Sequence, residues 1–252
     1  MSVEEREQLA EGTLISHLVE LRDRLLRAVI AIGVIFIPCA IFSNQLFTLV
    51  ATPLMDKMPA GTSMIATSVV SPFMAPLKLS LFVALFAAMP YVLYQAWAFV
   101  APGLYKHEKS FAVPLVISSI VLFYAGATFA HFVVFPLMFA FLTATAPTGV
   151  QIMTDMGNYL DFVLLLYFAF GIAFEIPVAT VLLALTGLVK VETMAGNRGY
   201  VLLGIFVVAA FLTPPDAISQ SAMAIPMYLL YEVGIVMSRV MLKKRSQSDK
   251  SE

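Results

Sequence analysis

A chain of 252 residues with 60% hydrophobic and 12% charged residues has too little charge to coat a water-facing surface, which excludes a soluble globular fold and makes lipid much of its solvent. Its formal net charge of −1 hides a one-sided distribution of basic residues, and a single cysteine, Cys39, excludes an intrachain disulfide or a thiolate metal cluster. Fourteen prolines and thirteen glycines lie among the apolar runs, a composition that membrane helices accommodate as kinks because neighbouring helices satisfy the freed backbone groups.

The chain starts with a mixed charged and polar stretch (Glu4, Glu5, Arg6, Glu7, Glu11) without a short apolar region ending in small residues, so no cleavable leader is expected and the first span stays in place. Leu14, Leu18, Leu21 and Leu25 recur at helical spacing, which predicts an amphipathic helix over the amino-terminal segment, 1–24, continuous with the first span. Residues 28–55 carry no charge and are apolar to about Phe42. The second span falls within 79–105, ending on the interfacial aromatics Trp97 and Tyr105. A third lies within 110–143, with His131 inside it, and a fourth within 162–189 with one internal charge, Glu175. After the polar stretch 190–198 a fifth run, 200–212, stops at Thr213-Pro214-Pro215-Asp216, and a sixth covers 217–237. A span takes about 20 apolar residues. The last two are therefore expected to be short, a hairpin that thins the bilayer locally.

Basic residues collect in short cytoplasmic loops. Of the fifteen Lys and Arg residues only Lys57 and Lys78 fall on the far side of a six-span arrangement, which places the amino terminus and the tail, 239–252, together in the cytoplasm. The outer loops, with Pro53, Pro59, Gly61, Pro72 and Pro76 in the first and Pro147, Gly149 and Gly157 in the second, are long enough to fold over the outer face. The expectation is one all-α transmembrane domain over 1–252. It shows no repeat of about 20 to 50 residues and no matching pair of interrupted spans, which counts against an inverted-repeat transporter.

No His-Glu-x-x-His, Gly-x-Ser-x-Gly or phosphate-loop pattern occurs, and His17, His107 and His131 are scattered over tail, loop and span, so an enzyme is not expected. Glu20 sits where the amphipathic helix meets the membrane surface. Its plainest role is a pair with Arg24 four residues on, about 0.3 to 0.5 kcal/mol. Glu108, on the loop after the second span, reads alone as a solvated charge. Two carboxylates at one membrane level could, however, jointly receive a guanidinium, whose fork matches a carboxylate bidentately. Glu175 stands near mid-bilayer, where a carboxylate costs about 2.5 to 3.5 kcal/mol. A protonated interhelical hydrogen bond would explain it, but functional use is the default for an intramembrane acid. Pro177 denies the Ala173 carbonyl its partner, which predicts a kink lining a polar cavity. Pro90, Pro114, Pro136 and Pro226 read as shape determinants. Thr213, Asp216 and Gln220 read as turn and cap residues of the outer hairpin, with partner binding as the other reading. Lys243, Lys244 and Arg245 read as an orientation anchor near anionic lipid.

From the residues alone two classes stand: a receptor that takes a cationic ligand on surface carboxylates, and a proton-coupled small-molecule transporter using Glu175. A structural membrane scaffold is a third. The motifs His17-Leu18-Val19-Glu20-Leu21-Arg22, Met64-Ile65-Ala66-Thr67 with Ser71-Pro72-Phe73, the run from Tyr94-Gln95-Ala96-Trp97 through Phe99 to Tyr105-Lys106-His107-Glu108, Phe174-Glu175-Ile176-Pro177 and Leu212-Thr213-Pro214-Pro215-Asp216, in this order, resemble the TatC family. These proteins are the multi-spanning core of the twin-arginine protein translocase of bacterial inner membranes. The resemblance implies a six-span, glove-like bundle with a concave face and a receptor for twin-arginine signal peptides on folded cargo. It also implies single-span partners TatA and TatB, self-association in a receptor complex, and transport drawing on the proton gradient with no cofactor and no nucleic acid. It assigns Glu20, Glu108 and Phe99 to the signal-peptide site and Glu175 to the groove. Thr213, Asp216 and Gln220 fall where partners or the inserted signal peptide are engaged.

Overall fold

The computed structural model describes residues 3–55, 63–100, 109–144, 153–213 and 216–248. Five helical stretches are long and apolar enough to cross a membrane, Ile15–Ile41, Ser71–Val100, Val113–Phe141, Met156–Leu185 and Ala217–Lys243, and a shorter apolar helix covers Arg198–Leu212.

Helix α1 (Val3–Ile41) is unbroken from the amphipathic start into the first apolar run, as the leucine spacing predicts. Pro38 cannot donate to the Val34 carbonyl, and the helix ends three residues later. The Phe42 N–H still closes on the Pro38 carbonyl at 3.2 Å, and α2 (Ser43–Met55) restarts at once. Helix α3 (Ser71–Val100) begins before the charge that set its expected start. Lys78 lies inside it because its ammonium binds the Asp161 carboxylate at 2.8 and 2.7 Å.

The third apolar stretch is α4 (Lys109–Phe129), a π-helical turn (Ala130–Val134) and α5 (Phe135–Ala144). The Phe135 N–H donates to the Ala130 carbonyl, five residues back. Pro136 comes next and has no N–H to give, so the wider turn takes up the phase change that its ring forces on the ladder. Helices α6 (Met156–Ala173) and α7 (Ile176–Leu185) form one membrane-length stretch broken at Phe174 and Glu175. Pro177 stands in the first turn of α7, where a missing N–H is harmless. The predicted kink is therefore a full interruption, with the Glu175 N–H on the Ile172 carbonyl at 2.9 Å.

After α8 (Val191–Gly196) come α9 (Arg198–Leu212) and α10 (Ala217–Ser248). The expectation of two short final spans holds for α9 and is corrected for α10, whose apolar stretch has 27 residues. Glu232 and Arg239 do not shorten it. The Arg198 Nε and Nη2 hold the two Glu232 oxygens at 2.6 and 2.8 Å, and the Tyr228 hydroxyl donates to Glu232 at 2.9 Å.

An all-α fold is observed, with one addition: β1 (Ser63–Ile65) and β2 (Met153–Asp155) pair in parallel as a two-stranded ribbon. Asp155 ties it down. Its carboxylate accepts from the Thr67 N–H and hydroxyl at 3.0 and 2.6 Å and caps α6 through the Asn158 N–H at 2.9 Å. These donors hold the Asp155 carboxyl well below its usual 3.8, at about 2. The opposite end of the bundle holds the middle of α1, the end of α3 and the end of α10: Arg24 reaches Gln95, and Met241 and Leu242 pack against the cluster that contains Trp97. The main core joins the π turn, α5, α6, α9 and α10 around Phe135, Leu166, Phe170 and Met223.

Helix contact in lipid relies on close packing at small residues. A Cβ on Gly234 of α10 would run into the Thr180 hydroxyl and come within 2.9 Å of the Pro177 Cα. A Cβ on Gly126 of α4 would strike the Phe170 carbonyl. Gly234→Leu is expected to cost about 1 to 3 kcal/mol by overpacking, read as a lowered thermal midpoint in detergent. Asp155→Asn should also lower the midpoint at neutral pH. Because the folded carboxyl titrates below its unfolded value, the stability it lends is full above 3.8 and is lost as pH falls towards 2. The gap between wild type and Asp155→Asn should close over that interval.

Candidate functional site

At the end of the bundle opposite the ribbon, α1 and α3 build a small surface from residues seven apart on α1 and four apart on α3. The Arg24 Nε and Nη2 both donate to Glu20 Oε1, at 2.9 and 2.6 Å. The Arg24 Nη1 reaches across to Gln95 Oε1 at 3.3 Å, and Gln95 is buried. The i,i+4 pair read from sequence is thus present, fastened to the neighbouring helix. Both guanidinium bonds fall on one carboxylate oxygen, and Glu20 Oε2 faces His17 Nδ1 at 3.9 Å. The His17 ring stacks on Phe99 with centroids 4.2 Å apart and planes at 20°. The Glu20 side chain keeps 34% of its surface.

The structure therefore brings Glu20 and Phe99 together through His17. Glu108 lies outside the described residues. His17, Arg24 and Gln95 were not singled out as site residues, although a lone amide near the end of an apolar run and a histidine three residues before an acid were signals for two of them. Chemically the patch offers a carboxylate oxygen, Glu20 Oε2, that accepts no hydrogen bond among the described residues and stands beside an aromatic plane. That combination suits a guanidinium, which bonds a carboxylate edge-on and stacks on an aromatic face.

Glu175 sits in the break between α6 and α7. Its Oε1 is buried and has no partner among the described residues. The Ser119 hydroxyl of α4 lies near the carboxyl and accepts the Trp97 indole N–H at 2.8 Å. Glu175 thus faces the α3 and α4 side of the bundle. It lines neither the cavity between α3, α4 and α6 nor the one between α6, α9 and α10.

In the hairpin between α9 and α10, Thr213 donates its hydroxyl to the Ala209 carbonyl at 2.9 Å, Asp216 Oδ1 caps α10 through the Ser219 N–H at 2.7 Å, and Gln220 donates to the Phe206 carbonyl at 2.9 Å. The first two are the turn and cap roles read from sequence, whereas Gln220 ties α10 to α9. Asp216 Oδ2 and the Ser219 hydroxyl stay buried without a partner among the described residues. No group of three or more His, Cys, Asp or Glu residues that could hold a metal occurs among the described residues.

A bundle of kinked, apolar helices of membrane-spanning length, with a paired carboxylate at one rim and another carboxyl in a helix break, defines a polytopic membrane protein. The family model described as Sec-independent protein translocase protein (TatC) matches residues 16–226, and the chain belongs to the TatC family. It is 55% identical to the TatC of Azotobacter chroococcum mcd 1 over 88% of this chain and 87% of that protein. Identity to the TatC of Escherichia coli (strain K12) is 52% over 97% and 93%. A crystal structure of a twin-arginine translocase receptor TatC superposes with a TM-score of 0.79 at 38% identity, covering 89% of this chain and 98% of the other. The family is a non-enzymatic protein-transport family, which sets aside the small-molecule transporter built on Glu175.

Trp97 is the only tryptophan, so its emission reports on this cluster. Ser119→Ala removes the acceptor of its buried N–H, a loss of about 1 kcal/mol. The expected result is a shifted emission maximum, whereas Ser118→Ala, whose hydroxyl bonds the Leu115 carbonyl, leaves the maximum in place.

Proposed function

We propose that this chain is the receptor subunit of a twin-arginine translocase in the bacterial inner membrane, with six spans and both termini cytoplasmic, and that the Glu20 surface receives the paired arginines of the signal peptide. The observation that carries the reading is the Glu20 carboxylate: it already binds one guanidinium through Oε1 and presents Oε2 beside the stacked His17 and Phe99 rings. A second guanidinium fits there edge-on, with an aromatic face at its flank. Glu108 is the second carboxylate of the site in this reading and supplies the pair that tells Arg-Arg from Lys-Lys by fork geometry.

A folded cargo cannot thread a narrow pore, so recognition falls on its unfolded leader. After the arginines dock, the apolar part of the leader enters the bilayer beside Glu175. Single-span TatA and TatB partners then assemble at the hairpin, where Thr213, Asp216 and Gln220 lie. The proton gradient drives transport.

Photocrosslinking of a radiolabelled twin-arginine leader to the receptor in membranes tests this. Glu20→Gln, Glu108→Gln and Phe99→Ala are each expected to cut crosslinking about tenfold, the loss of one charge-assisted or cation–π contact of about 1.5 kcal/mol, with insertion and yield unchanged. A leader with paired lysines should behave on wild type as the arginine leader does on Glu20→Gln. Undiminished crosslinking to the Glu20→Gln, Glu108→Gln double variant would refute the assignment.

A further inference from the structure

Between α3, α4 with the π turn, and α6 lies a cavity of about 490 Å³. Its walls are Phe82, Phe86, Leu164 and Phe132, and its polar lining includes His131 and Tyr167, joined by a 2.7 Å hydrogen bond. The ribbon-side limit is formed by Leu79 and Leu160, and the residues adjoining them in the chain are Lys78 and Asp161. That ion pair is half-exposed, at 50% and 51%.

Depth follows from helix geometry. The 30 residues of α3 make a rod of about 45 Å, close to a bilayer of about 40 to 45 Å including headgroups, of which about 30 Å is hydrocarbon. Lys78 is seven residues from Ser71, about 10 Å in, so the ion pair stands at the boundary between phosphates and hydrocarbon in the ribbon-side leaflet. The cavity runs from Leu79 to Ala87, about 12 Å further down. Charges at that boundary are costly where only acyl chains surround them. The pair also keeps unused capacity: an ammonium has three donors and a carboxylate about four acceptor positions, and two contacts join them here.

We propose that this cavity is a phospholipid site. One acyl chain from the ribbon-side leaflet lies between α3, α4 and α6, the phosphate accepts from Lys78, and a primary amine on the headgroup donates to Asp161. Two opposite charges side by side select a headgroup that carries both, phosphate and amine, over one with phosphate alone. Apart from Tyr124, Thr128, His131 and Tyr167 the lining is wholly apolar, as an acyl chain requires. The site stands apart from the Glu20 surface and does not depend on the receptor reading.

Native mass spectrometry of the delipidated full-length protein, offered equal amounts of phosphatidylethanolamine and phosphatidylglycerol, tests the assignment. Wild type should retain one phosphatidylethanolamine in several-fold preference. Lys78→Gln and Asp161→Asn should each lose that preference. Ala87→Phe should reduce retention of both lipids at least fivefold. Ala87 is exposed on the cavity wall, so this variant fills the space without disturbing the core, and its thermal midpoint controls for folding. Equal retention of the two lipids by wild type, or undiminished retention by a folded Ala87→Phe, would overturn the proposal. So would crosslinking of a signal peptide or a partner helix, and not of lipid, from a photoreactive residue at Thr128.

Discussion

Hydrocarbon offers no hydrogen bonds, so each place where a membrane helix is interrupted must find its partners inside the protein. Three interruptions organise this fold. Pro38 ends α1, and two hydrogen bonds, from the Phe42 N–H to the Pro38 carbonyl and from the Leu46 N–H to the Phe42 carbonyl, carry the chain into α2. Pro136 is preceded by a π turn that keeps the ladder closed and puts His131 against Tyr167. Pro177 divides α6 from α7, and the gap holds Glu175, whose carboxyl turns towards Ser119 and Trp97 rather than lipid. The π turn places His131 and Tyr167 in the space between α3, α4 and α6, and the break at Pro177 places Glu175 near Ser119, so the backbone repairs also decide where the interior is polar.

Charge is handled by the same constraint. Lys78 with Asp161, Arg198 with Glu232 and Arg24 with Glu20 are bidentate or doubled contacts, and the first two join different helices. An isolated charge at such depths shortens a span. A paired one lets the helix continue, which is why α3 begins at Ser71 and α10 runs past Glu232. Exposed pairs of this kind add little stability in water. Their effect here is on helix length and on which helices sit side by side.

This also explains what was legible in the sequence. The helical class, the continuous α1, the break at Pro177 and the cap at Asp216 follow from local rules of apolar runs, proline and capping chemistry, and all four are observed. The span limit drawn at Lys78 failed because the partner that neutralises this charge lies 83 residues away in the chain, and no local pattern encodes it. The parallel ribbon was missed for the same reason: each strand has three residues, and its register is set by Thr67 meeting Asp155 across 88 positions. At the site, Glu20 and Arg24 were readable as an i,i+4 pair. Gln95 was not, because its role depends on the packing of α1 against α3.

That packing gives the site its mechanical setting. Helix α1 is exposed along most of its length, with Ala28 its one buried side chain among those described, so Glu20 is held in place chiefly through Arg24 and Gln95. Two residues beyond Gln95, Trp97 donates to Ser119, which neighbours Glu175. The surface carboxylate and the intramembrane carboxyl therefore stand at the two ends of one series of side-chain contacts, bridged in the middle by two residues of a rigid helix. Helix α1 packs chiefly on α3. Pro177, two residues past Glu175, lies close against Gly234 of α10. The hydrogen bonds that tie Glu20 to α3 run through Arg24 to Gln95.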